Sequence, residues 1–461
     1  MNGQQTAARE PIDVGVAVAN NRLRGVPLRA WLVLSLVLII DGFDLALLGL
    51  LAPAIGGEFG LGSFEIGLLL GAQQAGVALA GIAGGAAGDR FGRRALIASS
   101  VALFGIFTCL AALAQSPSLF VVARVAAGLG LGAIAPNIVS YLTETLPLAW
   151  RSRFTAGAFV SLAIGAIACA ALVRLAEPAL GWRGLFLAGG AIPLLLVPLI
   201  LLALPESPLW LAGRPGRSKA VAAALNRLVG ERRFPGDAAF VQAEHTSGRQ
   251  QESVDGTSVF KAVPLRDTLA LWAIILALQF VGTGMSHMGP TILTGSGIEL
   301  TEAAQLMVWY NTAGLVGSVV TVWLLPKFGS KALFVWLGGG LVLSFAAMLT
   351  LLMGDAAQAG PWLAISAALA GFGVLGLSLV GFPLAAHVYP TGVRATGAGL
   401  AAGIGRLGSV LAPAALGFWI SVRGSERAFE LQIPAALLLI VAALAMQRHI
   451  PALSRLGARK R

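Results

Sequence analysis

The chain is 461 residues long, 57% hydrophobic and only 11% charged, with a mean hydropathy of +0.83. That composition excludes a water-soluble globular protein and indicates a polytopic membrane protein. A formal net charge of +11 would suggest nucleic acid as a partner of a soluble chain. In a membrane protein, basic residues report topology first, and no nucleic-acid surface is inferred.

Residues 1–29 contain no apolar core of signal-peptide length, so they read as a cytoplasmic N-terminal tail, with the first span as its own targeting segment. Apolar stretches of about 20 residues, the length that crosses a bilayer, follow at 30–51, 64–87, 95–114, 119–142, 154–177 and 183–204. A polar stretch, 205–267, reads as a cytoplasmic central loop, helical in part near Ser218–Val229 and without apolar periodicity from Ala238 to Ser258. Six more apolar stretches occupy 268–288, 303–325, 332–352, 362–385, 395–420 and 431–447, before a cytoplasmic C-terminal tail at 448–461. With the N-terminus inside, the outer turns carry only Arg183, Arg423 and Arg427, which fixes both termini in the cytoplasm.

The two halves, 30–204 and 268–447, resemble each other. Asp89 to Leu96 aligns with Pro326 to Leu333 at an offset of 237, and Arg153 and Thr155 align with Arg394 and Thr396 at 241. The expected fold is therefore an all-α integral membrane protein with twelve transmembrane helices in two six-helix pseudo-repeat bundles. Such duplication implies alternating access to a central site.

Asp41-Gly42-Phe43-Asp44 puts two carboxylates near the middle of the first span. Counting from Ala30 at about 1.5 Å per residue, Asp41 lies roughly 16 Å deep. An ionised group there costs several kcal/mol unless it faces protein or water, so the pair calls for a function. Spaced i, i+3, the two acids share a helical face and couple their titrations, which suits a proton carrier. Arg406, about 16 Å into span 11, is a buried cation that needs an anionic partner, and sits at a depth comparable to the acids. Arg124 in span 4 is nearer the outer end, where snorkelling is an open alternative. In span 7, Gln279, Thr283, Ser286 and His287 follow i, i+4, i+7, i+8 spacing and form a polar stripe that should face a cavity. His287 either binds substrate or a proton there or is a hydrogen-bonded bystander. Asn137, Tyr310, Asn311 and Phe382 are further cavity candidates, or simply bridge helices. Cys109 and Cys169 fall in apolar runs and read as small buried side chains; neither a disulfide, a metal nor a cofactor is inferred.

The turn after span 2 reads Gly85-x-x-x-Asp89-Arg90-x-Gly92-Arg93-Arg94. It resembles the signature of the major facilitator superfamily, and by that resemblance controls conformation rather than touching substrate. In the second copy Pro326 replaces the acid. Arg124-x-x-x-Gly128-x-Gly130-x-Gly132 resembles a second superfamily motif, whose arginine is associated with proton coupling. Glu144, beside Arg151 and Arg153, and Glu206 in Pro205-Glu206-Ser207-Pro208 both sit at the cytoplasmic face, as a gate network with the loop arginines or as solvated interfacial groups.

A narrower resemblance rests on Asp41-Gly42-Phe43-Asp44, Arg124 with Pro136-Asn137, Glu144, and Arg394-Ala395-Thr396-Gly397-Ala398-Gly399 leading to Gly403-Ile404-Gly405-Arg406-Leu407-Gly408. Together these are similar to the aromatic acid/proton symporter family. The resemblance implies a bacterial-type inner-membrane carrier, not an enzyme, that takes up aromatic carboxylates such as hydroxybenzoates. It carries roles to Asp41, Asp44, Arg124, Glu144, Arg394 and Arg406. Asp41 and Asp44 are expected to bind the proton; Arg406, Arg124, Gln279, His287 and Asn137 are expected to meet the substrate; Glu144 and Arg394 join the signature turn in gating. Three alternatives stand beside this reading. A carrier of a sugar, polyol or organic cation would share much of the pattern, as would a non-transporting receptor of the same fold. An intramembrane hydrolase would place its two acids on facing helices, whereas here both are on one, and no His-Glu-x-x-His or Gly-x-Ser-x-Gly occurs.

Overall fold

A backbone in hydrocarbon has no water to bond with, so a chain of this composition closes its hydrogen bonds within helices. The computed structural model describes residues 11–241, 257–354, 360–390 and 393–452. The 242–256 part of the central loop, the outer ends of both tails and the side chain of Phe382 lie outside them.

In chain order, β1 (Ile12–Asp13) and α1 (Val14–Ala19) precede α2 (Val26–Phe59), α3 (Ser63–Phe91), α4 (Arg93–Ala112), α5 (Pro117–Thr145) and α6 (Leu148–Ala203). Then come α7 (Pro208–Ala212), α8 (Ser218–Val229), β2 (Phe240–Val241) and α9 (Thr257–Ala262). The second half holds α10 (Leu265–Thr283), a π-helical turn (Gly284–Met288), α11 (Gly289–Gly295), α12 (Leu300–Met353), α13 (Gly360–Val388), α14 (Arg394–Arg423) and α15 (Phe429–Ala445). Among the described residues, ten helical runs are long and apolar enough to cross a membrane. Two of them, α6 and α12, are each a pair of helices meeting at a glycine with left-handed φ, Gly181 (φ 62°) and Gly329 (φ 76°). Only a residue without Cβ enters that region at no steric cost.

Left-handed glycines also trace the internal repeat. Gly60 and Gly297, and Gly92 and Gly329, are separated by the 237 residues that align the signature turn with its second copy. Helices α2 to α6 pack on one another, as do α10 to α15, and the two groups meet through α3 against α14, α6 against α12, and α2 against α11. Large exposed apolar side chains such as Leu79, Ile82, Leu175, Leu195 and Leu343 form the lipid-facing surface.

Two close approaches fix the first group. A Cβ on Gly42 would lie 2.0 Å from the Leu162 carbonyl oxygen, and one on Gly165 would lie 1.8 Å from that of Ile39, so α2 and α6 touch backbone to backbone. Their helix turns therefore lock in one rotation, which decides what α2 presents to the centre.

The N-terminal segment is not a free tail over its described length. Ile12 and Asp13 pair in parallel with Phe240 and Val241, and Val14 and Val18 pack with Leu211, Val221, Leu225 and Leu228 of α7 and α8. The linker helix expected near Ser218–Val229 thus has an apolar face with a partner.

Candidate functional site

The rotation of α2 turns Gly42, Leu45 and Ala46 toward a central cavity of about 520 Å³. Opposite them, Gln279, Thr283, Ser286 and His287 line the same space with Asn311, Arg406 and Ser409. The stripe read from span 7 thus lies along the cavity wall, and the π-helical turn at Gly284–Met288 seats its lower part.

Two polar contacts cross the cavity between the helix groups. Gln74 Nε2 lies 2.9 Å from His287 Nε2. Arg406 Nη1 donates to the Val77 carbonyl oxygen at 3.1 Å. Gly81, one turn along α3 from Val77, leaves the room for it, since a Cβ there would lie 2.5 to 2.8 Å from three guanidinium atoms. Among the described residues no carboxylate pairs with Arg406, so a cation stands in the cavity wall with a neutral backbone partner.

At 100° per residue, a cavity face of Gly42, Leu45 and Ala46 carries Asp44 to the far side of α2. Asp44 is there wholly buried and ion-paired to Arg124, which is also wholly buried, with Nη2 to Oδ2 at 2.6 Å and Nη1 to Oδ1 at 3.2 Å. Arg124 also donates to Gln73 Oε1 (3.2 and 2.9 Å) and Thr108 Oγ1 (3.0 Å), and stacks over Phe186 at 5.3 Å. Gln73 Nε2 returns a contact to Asp44 Oδ2 at 3.3 Å. Asp41 is 7% exposed and has no hydrogen bond or ion pair among the described residues. Two sequence expectations change here. Arg124 neither snorkels nor lines the cavity, because a bidentate carboxylate at matching depth holds it. Asp44 faces Arg124 rather than Arg406, and the two acids differ sharply in surroundings.

Asn137, expected at the substrate, is buried outside the cavity. Its Nδ2 donates to the carbonyls of Gly84 (2.9 Å) and Ala133 (2.8 Å), and its Oδ1 fills the space a Cβ on Gly88 would need, so it pins α3 to α5. In the signature turn, Arg93 sits between Asp89 and Glu144, the latter at 3.3 Å, and bonds the Gly85 carbonyl at 3.4 Å. Glu144 therefore pairs with Arg93 and not with Arg151 or Arg153. Arg94 presents its backbone N–H to Glu206 Oε1 at 3.1 Å, while Trp210 Nε1 bonds the Asp89 carbonyl at 2.8 Å and Arg214 bonds that of Arg90. Arg90 is exposed over the Phe91 ring. Gly92, at φ 102°, turns α3 into α4 against Glu206. Arg394 is exposed and bonds the Tyr389 carbonyl at 3.3 Å. Gln73, Gln74, Thr108 and Gly81 escaped the sequence reading; Gln73-Gln74 within an apolar run was the one available signal.

At one end of the cavity the two helix groups come into close backbone contact. Gly67 and Gly71 lie against the Pro413 and Val410 carbonyls, Gly417 against Ser63, and Gly49 against Ser286 and His287. Toward the signature turn, Gly85, Gly399 and Gly403 meet no atom within 4 Å of a built Cβ.

The family profile of the Major Facilitator Superfamily matches residues 34–413. The chain belongs to that superfamily. Among its relatives, a gallate transporter of Pseudomonas putida is 31% identical over 407 residues, 87% of each chain. The 4-hydroxybenzoate transporter PcaK of Pseudomonas aeruginosa is 29% identical over 425 residues, 91% of each. A benzoate transport protein of Acinetobacter baylyi is 25% identical over 446 residues, 95% of this chain and 94% of that one. The inward-open structure of the xylose transporter XylE from E. coli superposes with a TM-score of 0.72 at 19% identity, covering 94% of this chain and 99% of that one, which shows the shared fold. This superfamily member is a multi-pass membrane transporter and not an enzyme.

Proposed function

We propose that the protein is a proton-coupled symporter of a small aromatic carboxylate in a bacterial-type inner membrane, working by alternating access between bundles 30–204 and 268–447. The observation that carries this is Arg406, a guanidinium in the wall of an otherwise largely apolar cavity, held by a backbone carbonyl of the other bundle. A carboxylate offers it a charge-assisted bidentate contact that a carbonyl does not. The cavity volume, about 520 Å³, falls within the range of small-molecule sites. The similarity to gallate, 4-hydroxybenzoate and benzoate transporters supports the substrate class.

In this reading twelve spans place both termini in the cytoplasm, following the basic residues, and the cavity opens alternately to each side. Asp44 or Asp41 takes a proton from outside. A protonated Asp44 no longer grips Arg124 as an anion, which loosens α2, α3 and α5 relative to one another. The substrate carboxylate then occupies Arg406, with Gln279 and His287 beside it, and the bundles rock. Once the site opens inward, the Val77 carbonyl competes for Arg406 and assists release. Gly85, Asp89, Arg90, Gly92, Arg93 and Arg94, with Glu144 and Arg394, hold the cytoplasmic ends in one gating state.

The test is competition for uptake of labelled 4-hydroxybenzoate into proteoliposomes. Aromatic carboxylates should compete, while sugars, polyols and organic cations should not. Competition by the latter classes alone would overturn the reading.

A further inference from the structure

The walls of the cavity are chemically unequal. Apart from Gln74, the residues contributed by α2, α3 and α6 are apolar, Leu45, Val77 and Phe159 among them; the α10 to α14 side supplies Arg406 and a set of amides and hydroxyls. One of those amides has a fixed orientation. Asn311 Nδ2 donates to the Met307 carbonyl oxygen at 2.8 Å, and a carbonyl only accepts. The amide oxygen is therefore turned away from that partner, in a residue that lines the cavity, and it accepts no hydrogen bond from any described residue. The hydroxyl of Ser378, which lines the same wall, donates to the Val374 carbonyl of its own helix at 2.8 Å. Gln279 repeats the arrangement more loosely, with Nε2 on Ser409 Oγ at 3.2 Å.

We propose that Asn311 is a specificity-determining residue that accepts a hydrogen bond from a ring hydroxyl of the substrate, so that the site favours hydroxylated aromatic acids over unsubstituted ones. The inference rests on the reading of the cavity as an aromatic carboxylate site. A carboxylate is acceptor-only and has nothing to offer an amide oxygen, so Arg406 and Asn311 sort the two ends of the ligand: the anion goes to the guanidinium and the O–H donor to the amide. An unsubstituted ring leaves the amide oxygen facing C–H, and a site built to bond a hydroxyl discriminates against the analogue lacking it.

Binding of benzoate, 3-hydroxybenzoate and 4-hydroxybenzoate to the purified full-length protein, measured by titration calorimetry, tests this. The wild type should bind at least one hydroxybenzoate roughly two- to tenfold more tightly than benzoate, the span of one net hydrogen bond. Asn311→Leu and Asn311→Ala should each erase that ratio while still binding benzoate, because neither removes the carboxylate contact. The alanine variant adds no bulk and carries the test should the leucine variant not fold. An unchanged ratio in a variant that still binds benzoate, a parallel loss for all three ligands, or no hydroxyl preference in the wild type would overturn the proposal while leaving the aromatic reading standing. Failure of the wild type to bind any of the three would instead remove the aromatic reading itself.

Discussion

Asp44→Asn is the most informative single change, because it strands a charge. Asp44 and Arg124 are fully buried and meet at 2.6 and 3.2 Å. Removing one partner of such a pair costs about 3–5 kcal/mol, since the remaining ion keeps its desolvation penalty. Here Gln73 and Thr108 still serve the guanidinium, so the low end, about 3 kcal/mol, is expected. A guanidinium cannot shed its proton, which makes Asp44→Asn the costlier single variant and Arg124→Gln the milder one. The double variant removes both charges and should recover most of the loss, with a coupling energy of about 2 kcal/mol or more. Thermal unfolding of the four detergent-solubilised proteins measures this, and uptake driven by a pH gradient should be lost in all three variants. Singles that add in the double to within about 0.5 kcal/mol, or full coupled uptake by Asp44→Asn, would refute the reasoning.

Gly81→Ala places a Cβ 2.5 Å from the Arg406 guanidinium, which should push it out of reach of the substrate carboxylate and raise the KM for the aromatic acid roughly tenfold, the scale of one charged hydrogen bond, with expression unchanged; an unaltered KM counts against Arg406 as the carboxylate's partner. Gly42→Ala and Gly165→Ala drive a methyl into backbone oxygen at 2.0 and 1.8 Å and should destabilise by about 1–3 kcal/mol or more. Gly57→Ala, which meets nothing within 4 Å, should be neutral or stabilising by up to about 1 kcal/mol in the same melts. His449, outside the spans, bonds Ser330 and the Ala443 carbonyl, and burial holds its pKa below the ordinary histidine value of 6.5. Its folded pKa being the lower one, the stability it confers is present above 6.5 and is lost as pH falls through the folded value. Acid melts should therefore show a downward slope in Tm that His449→Gln flattens.

Much of the architecture was legible because lipid leaves few options. Apolar runs of spanning length must become helices, and the span 7 stripe needed only the period of one helix to be placed on the cavity. Helix ends were less legible. The first span runs on to Phe59 rather than stopping near 51: left-handed Gly60 ends it, and Glu58 in its last turn meets Trp182 and Arg183, 124 and 125 residues away. Pairings between helices were not legible at all. The i, i+3 spacing put Asp41 and Asp44 on one face, but which face the cavity takes depends on how Gly42 and Gly165 lock α2 against α6. That rotation gives Asp44 to Arg124, leaves Asp41 without a partner among the described residues, and frees Arg406 for the Val77 carbonyl. Asn137 was misplaced for the same reason: a polar residue within a span either faces the cavity or bridges helices, and its rotation points it between α3 and α5. The docking of Val14 and Val18 on the linker helices was hidden by their shortness, two apolar residues a turn apart.

The central claim is coupled transport of an aromatic anion, and accumulation measures it most directly. Purified protein in proteoliposomes should concentrate labelled 4-hydroxybenzoate above the external level when the exterior is acidic, and the accumulated label should leave when a protonophore collapses the gradient. Equilibration to the external concentration regardless of the pH gradient would contradict proton coupling, and no uptake of any aromatic acid would contradict the substrate.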